Sequence, residues 1–141
     1  MTTARRTLIK GAAALGALSA ASSSVIAQPF LFSPSTELLP KGKKRRVVVL
    51  GGGWGGLATA RHLREDAPDL EVLLLEKNPI FWSCPLSNKW LVDVVDTSFL
   101  VHSYTAAAER MGYTFVQTEI TDIGRDKKRV HTAQGYVDYD W

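Results

Sequence analysis

The sequence predicts an α/β fold in which parallel strands are joined through helices and the chain ends in a β-hairpin. Three observations carry this. The β-branched run "RVVVLGGG" ends in glycines and reads as a strand buried on both faces. Leu57, Ala60 and Leu63 then recur at helical spacing, with Arg61, Arg64 and Glu65 on the other side, before a second apolar run, "EVLLLEK". Further on, "KKRVHTAQGYVDYD" alternates about Ala133-Gln134-Gly135 as a hairpin does.

Taken in order, residues 1–27 read as an export leader. Arg5 and Arg6 are adjacent, Gly11 to Ala21 is weakly apolar, and Val25 and Ala27 are small residues ahead of a cut before Gln28. Adjacent arginines before an Ala/Gly-rich core predict the twin-arginine route, hence a periplasmic protein. The apolar run is shorter than the ~20 residues that cross a bilayer, so no transmembrane helix is expected in the mature form. The chain has 141 residues and a net charge of +3. Arg5, Arg6 and Lys10 lie in the leader with no acid beside them, so the remainder is neutral. Residues 28–45 carry three prolines and read as a linker. Within and after it, "KGKKRR" (Lys41 to Arg46) reads as a solvated linker end. It lacks the aromatic platform or recognition helix of a nucleic-acid site, so no nucleic-acid partner is expected.

Residues 46–141 are the predicted body. Arg46 to Lys77 holds strand, helix and strand in ~30 residues, as a βαβ crossover requires, with Pro68 bounding the helix. The aromatic stretch "NPIFWSCPLSNKW" reads as a loop and contains Cys84, the one cysteine. A second helix is expected to be capped at Asp96, Thr97 or Ser98, to present Leu100, Tyr104, Ala107 and Met111 on one face, and to end at Gly112. "YTFVQTEI" reads as a third strand.

The turn "GGGWGG" satisfies G-x-G-x-x-G through Gly51, Gly53 and Gly56. The first glycine permits the tight turn, the second lets backbone approach a pyrophosphate, and the third lets helix pack on strand. The helix N-terminus offers free N–H groups and a partial positive charge to phosphate. Glu76 ends the second strand 20 positions after Gly56, where a carboxylate accepts from both ribose hydroxyls. It would repel a 2′-phosphate, which disfavours NADP and leaves FAD or NAD. The pattern continues to Ala60, similar to the FAD domain of flavoproteins that bind two dinucleotides. Spacing alone leaves FAD and NAD open; the expected fold class is a Rossmann-type βαβ domain, FAD-binding by that likeness, incomplete, with a C-terminal β-hairpin.

Together "VVVLGGGWGGLATARHL", "EVLLLEKN", "CPLSNKWL" and "DKKRVHTAQGYVDYD" resemble the flavoprotein subunit of flavocytochrome c sulfide dehydrogenase, within the sulfide:quinone reductase and pyridine nucleotide–disulfide oxidoreductase group. Read from the residues alone, Cys84 is either a small buried hydrophobe or a thiolate nucleophile. The resemblance implies that it anchors FAD as a thioether on the 8α-methyl, with Pro85 where the family has an aromatic residue. It also implies that the Ile120 backbone reads the adenine edge, where the residues alone equally suggest a strand-core isoleucine. Asn88 and Lys89 read either as flavin contacts or as loop polars. The expected electron acceptor is a c-type cytochrome subunit or a quinone. His62, His102 and His131 have no ligand spacing, so no metal site is expected.

The family is several hundred residues long and carries a redox-active cysteine pair absent here. The expectation is an N-terminal segment of a sulfide dehydrogenase-like flavoprotein, one strand short of its first domain and not catalytically complete without a missing C-terminal half. A truncated non-functional fragment, one half of a split flavoprotein and an NAD-binding dehydrogenase domain remain as alternatives.

Overall fold

The computed structural model describes residues 35–141. The predicted leader and the first part of the predicted linker lie outside the described residues. β1 (Arg46–Leu50), α1 (Trp54–Asp66) and β2 (Glu71–Glu76) form the predicted crossover, and β1 pairs with β2 in parallel, Val48 opposite Leu73. β5 (Thr114–Gln117) joins the far side of β2, also parallel, giving the order β1-β2-β5.

Successive side chains on a strand face opposite ways. Val72 and Leu74 face a cluster with Ala60 of α1 and with Tyr104 and Ala108 of α3 (Tyr104–Met111). Leu73 and Leu75 are fully buried as well, as befits a central parallel strand covered on both faces. This α/β core is what the apolar runs predicted.

Between β2 and α3 the chain is more structured than the predicted loop. β3 (Ile80–Trp82) pairs antiparallel with β4 (Val101–Ser103), and a short α2 (Ser87–Trp90) lies between them. This pairing moves the second helix. Residues 101–103 are spent on the strand, Thr97–Phe99 forms a 3₁₀ turn, and Ser103 is the true cap, its hydroxyl accepting from the Ala106 N–H at 3.2 Å. Asp96, Thr97 and Ser98 do not cap α3. Gly112 closes it at φ 77°, a left-handed position that costs glycine little.

The predicted third strand divides. After β5 the Thr118 N–H bonds the Glu76 carbonyl at 3.0 Å, and the chain leaves the parallel sheet to start β6 (Ile120–Gly124). β6, β7 (Arg129–Thr132) and β8 (Gly135–Asp138) make an antiparallel sheet whose last turn is Ala133-Gln134. Thr132 Oγ1 accepts from the N–H groups of Gln134 and Gly135 across it.

The segment read as linker is bonded to this sheet from Thr36 onward. The Tyr136 N–H donates to the Thr36 carbonyl and the Leu38 N–H to the Tyr136 carbonyl, both at 2.9 Å. A Cβ on Gly135 would stand 2.2 Å from the Thr36 carbonyl oxygen, so only glycine admits this approach.

Arg46 departs from the expected solvated basic run. Its side chain is fully buried. Nε and Nη2 hold Glu71 at 2.9 and 3.0 Å, while Nη1 and Nη2 bond the carbonyls of Leu39 and Pro40 at 2.8 and 3.0 Å. A planar guanidinium suits such a fork, where an ammonium would not.

Candidate functional site: the glycine turn and its carboxylate

The three motif glycines meet different local demands. Gly51 turns at φ 93° and its N–H stays on the sheet, bonded to the Leu75 carbonyl at 2.8 Å. A Cβ on Gly56 would lie 1.9 Å from the Gly51 carbonyl oxygen, so helix and strand ends touch backbone to backbone. Gly53, the extended cap of α1, is the opposite: a Cβ there would meet nothing within 4 Å. The space over Gly53 is open, at the N-terminus of a 13-residue helix with no acid in its first turn and no side chain capping it. Such a terminus favours an anion.

Glu76 reaches this turn from the end of β2. Its carboxylate accepts from the Gly52 N–H at 2.9 Å, the Asn78 N–H at 2.9 Å and the Asn78 amide at 2.7 Å. Burial pushes its pKa up, but the hydrogen bonds from Gly52 and Asn78 outweigh this and hold it below the ordinary value, so the group is an anion at neutral pH. Gly53, Glu76, Asn78, Phe81, Trp82 and Tyr104 line one cavity of about 520 Å³.

Tyr104 underlies the turn, a role that its place on a predicted helix face does not announce. Its hydroxyl donates to the Gly52 carbonyl at 2.8 Å, and its ring stacks on Phe115 with centroids 5.1 Å apart. The middle glycine of "GGG" lies outside the motif, yet a Cβ on it would sit 2.5 Å from the Tyr104 ring. The signal available in the sequence was that extra glycine.

Cys84 and Ile120 do not line this cavity. Cys84 is exposed, which overturns its reading as a small buried hydrophobe. It lies in the turn between β3 and α2, its carbonyl accepting from the Ser87 N–H at 3.1 Å. Leu86, two residues on, is held at φ 70°, a strained region for a branched side chain. Ile120 is half-buried at the start of β6, opposite Thr132, where the chain departs from the Glu76 carbonyl by way of Thr118. Asn88 and Lys89 bond each other locally, Lys89 N–H to Asn88 Oδ1 at 3.0 Å. His62 sits beside Glu65 at 3.3 Å, and His102 stacks on Phe81. Among the described residues no group of three or more His, Cys, Asp or Glu is placed to hold a metal ion, and no helix is long and apolar enough to cross a membrane.

The chain is similar to known proteins. The family model described as pyridine nucleotide-disulphide oxidoreductase matches residues 45–140. A type II NADH:quinone oxidoreductase of Staphylococcus aureus is 28% identical over 99 residues, 69% of this chain and 25% of that protein. The sulfide:quinone oxidoreductase of the hyperthermophilic bacterium Aquifex aeolicus superposes with a TM-score of 0.64 at 28% identity, over 69% of this chain and 23% of that one. The water-forming NADH oxidase of Lactobacillus brevis superposes with a TM-score of 0.60 at 24% identity, over 69% and 24%, a likeness of fold alone. The chain thus spans about a quarter of the length of these relatives.

Proposed function

Because the chain belongs to the pyridine nucleotide-disulphide oxidoreductase family, we propose that it is the FAD-binding segment of a flavoprotein oxidoreductase. The observation that carries this is the shared cavity of Gly53 and Glu76: an open glycine at a helix N-terminus beside an ionised carboxylate. That is the complement of a pyrophosphate next to a ribose. Gly51 and Gly53 would cradle the phosphates, Gly56 would keep α1 close to the sheet, Glu76 would accept from the ribose hydroxyls, and the Ile120 backbone would meet the adenine edge. Bound FAD would supply reversible two-electron chemistry.

The finer reading is a sulfide dehydrogenase-like enzyme. It rests on the "CPLSN" run and on the likeness to a sulfide:quinone oxidoreductase. Quinone is the favoured acceptor, since two of the relatives are named for it; a c-type cytochrome subunit is the other. Cys84 is the proposed covalent anchor, and its exposure leaves the thiol free to reach a ring. Export to the periplasm by the twin-arginine route rests on Arg5 and Arg6, and that route carries proteins already folded around cofactor. Turnover would belong to the whole enzyme, since the cysteine pair that handles sulfur is not among these residues.

Titration of the purified chain with FAD, followed by flavin fluorescence, tests the core of this reading. FAD is expected to bind, Glu76→Ala to weaken it about tenfold through loss of the ribose hydrogen bonds, and NAD⁺ not to displace it. Binding of NAD⁺ with no affinity for FAD would transfer the site to the NAD-dehydrogenase alternative.

A further inference from the structure

A separate groove of about 590 Å³ opens between α1, α3 and the β3–β4 pair, within the size range of small-molecule sites. Trp54, Leu57, Phe81, Val101, Ala107 and Met111 give it an apolar floor. Its polar edge carries two guanidinium cations, Arg61 and Arg110, together with His62, His102 and Ser103, and no Asp or Glu lines it.

These groups are not equally free. Glu65 pairs with Arg61 at 2.8 Å and with His62 at 3.3 Å. Arg110 is exposed and forms no ion pair among the described residues. Tyr113 lines the same groove and is only 7% exposed, and its hydroxyl has no hydrogen-bond partner. Burial raises the Tyr113 pKa, and the field of Arg110 opposes this, so cation and phenol are electrostatic neighbours. A buried hydroxyl without a partner is costly and is rarely left so in a folded protein.

We propose that this groove binds a free amphipathic carboxylate, an alkyl-chain acid whose tail lies along Trp54, Leu57 and Met111 and whose head is held by Arg110. Two features fit that chemistry: the apolar floor and the exposed guanidinium without an ion pair. A neutral alcohol would leave Arg110 uncompensated, and an alkylammonium would be repelled by it. Phe81 lines both this groove and the cavity beside Glu76, so the two sites share one wall without sharing their polar groups.

The test is calorimetric titration of the full chain with dodecanoate below its micelle concentration, alongside dodecanol and dodecyltrimethylammonium. Tryptophan fluorescence of the parent and of Trp54→Phe reports whether the tail lies in the groove. Saturable one-to-one binding of dodecanoate is expected, with dodecanol about tenfold weaker or more, as suits a charge-assisted head contact. Arg110→Gln should lower dodecanoate affinity about tenfold and leave dodecanol unchanged, and Arg110→Lys should recover part of the loss. The proposal is overturned if acid and alcohol bind alike, if Arg110→Gln has no effect, or if the chain takes up only vesicles of anionic phospholipid and not the monomeric acid.

Discussion

The Tyr104 hydroxyl bonds the Gly52 carbonyl at 2.8 Å, and the same ring occupies the space where a Cβ on Gly52 would be. The glycine turn therefore rests on an aromatic support as well as on its own backbone. Tyr104→Phe should lower stability by about 1 kcal/mol through loss of that hydrogen bond. Gly52→Ala should cost about 1–3 kcal/mol by overpacking against the ring. Urea unfolding measures both, and a neutral Gly52→Ala would show that Tyr104 yields easily.

Gly53 and Gly56 separate binding from folding. Gly56→Ala drives a methyl into the Gly51 carbonyl and should destabilise by about 3 kcal/mol. Gly53→Ala meets open space at an ordinary backbone angle and should stay within about 0.5 kcal/mol of the parent. If the space above Gly53 holds pyrophosphate, this quiet variant should nonetheless lose FAD affinity. Parallel unfolding and FAD titrations decide it, and full retention of FAD would remove Gly53 from the phosphate site.

If Cys84 is the flavin anchor, acid precipitation of the holoprotein leaves yellow flavin in the pellet, and Cys84→Ser releases it to the supernatant. Because the thiol is exposed, the serine variant should match the parent in thermal midpoint. Flavin in the wild-type supernatant would end the covalent assignment.

Acid sensitivity should centre on the hairpin. Arg129 donates to both oxygens of Asp138, at 2.6 and 3.0 Å, and holds its carboxyl below the ordinary 3.8. A pKa lowered on folding contributes stability that is complete above 3.8 and is lost as pH falls through the depressed value. Asp138→Asn should flatten the decline of the unfolding midpoint below pH 4 while changing little of its slope from pH 5 to 8. An unchanged acid limb would place the sensitivity on other carboxylates such as Glu76.

The buried fork of Arg46 on Glu71 gives another measurable quantity. Glu71→Gln should destabilise by about 3–5 kcal/mol, because it leaves a fully buried guanidinium short of its counter-charge. Equilibrium unfolding at neutral pH checks this. A cost below about 1 kcal/mol would mean that the carbonyls of Leu39 and Pro40 suffice for the cation.

The parallel core was legible because its signals are local: two apolar runs of strand length, a helical stripe and glycines between them. The candidate site's geometry was legible in part for the same reason, since Gly51, Gly53, Gly56 and Glu76 sit at ends of those elements. What could not be read depends on pairing across distance. The cap of α3 moved to Ser103 because β4 claims residues 101–103 for β3, and no local propensity announces that. Arg46 stood in a basic run that looked solvated, and its burial depends on Glu71 and on two carbonyls of the preceding segment. Tyr104 spoke as an apolar helix residue, while its contact with Gly52 spans 52 positions.

The bonding of Thr36 and Leu38 to Tyr136 has a mechanical consequence. Tension applied to the chain ahead of this strap loads the antiparallel sheet first, and the Arg46 clamp on Leu39 and Pro40 takes what passes beyond it. The glycine turn lies at the opposite end of β1 from that clamp. A pull on this side of the body enters the structure at the antiparallel sheet, one strand length away from the glycine turn.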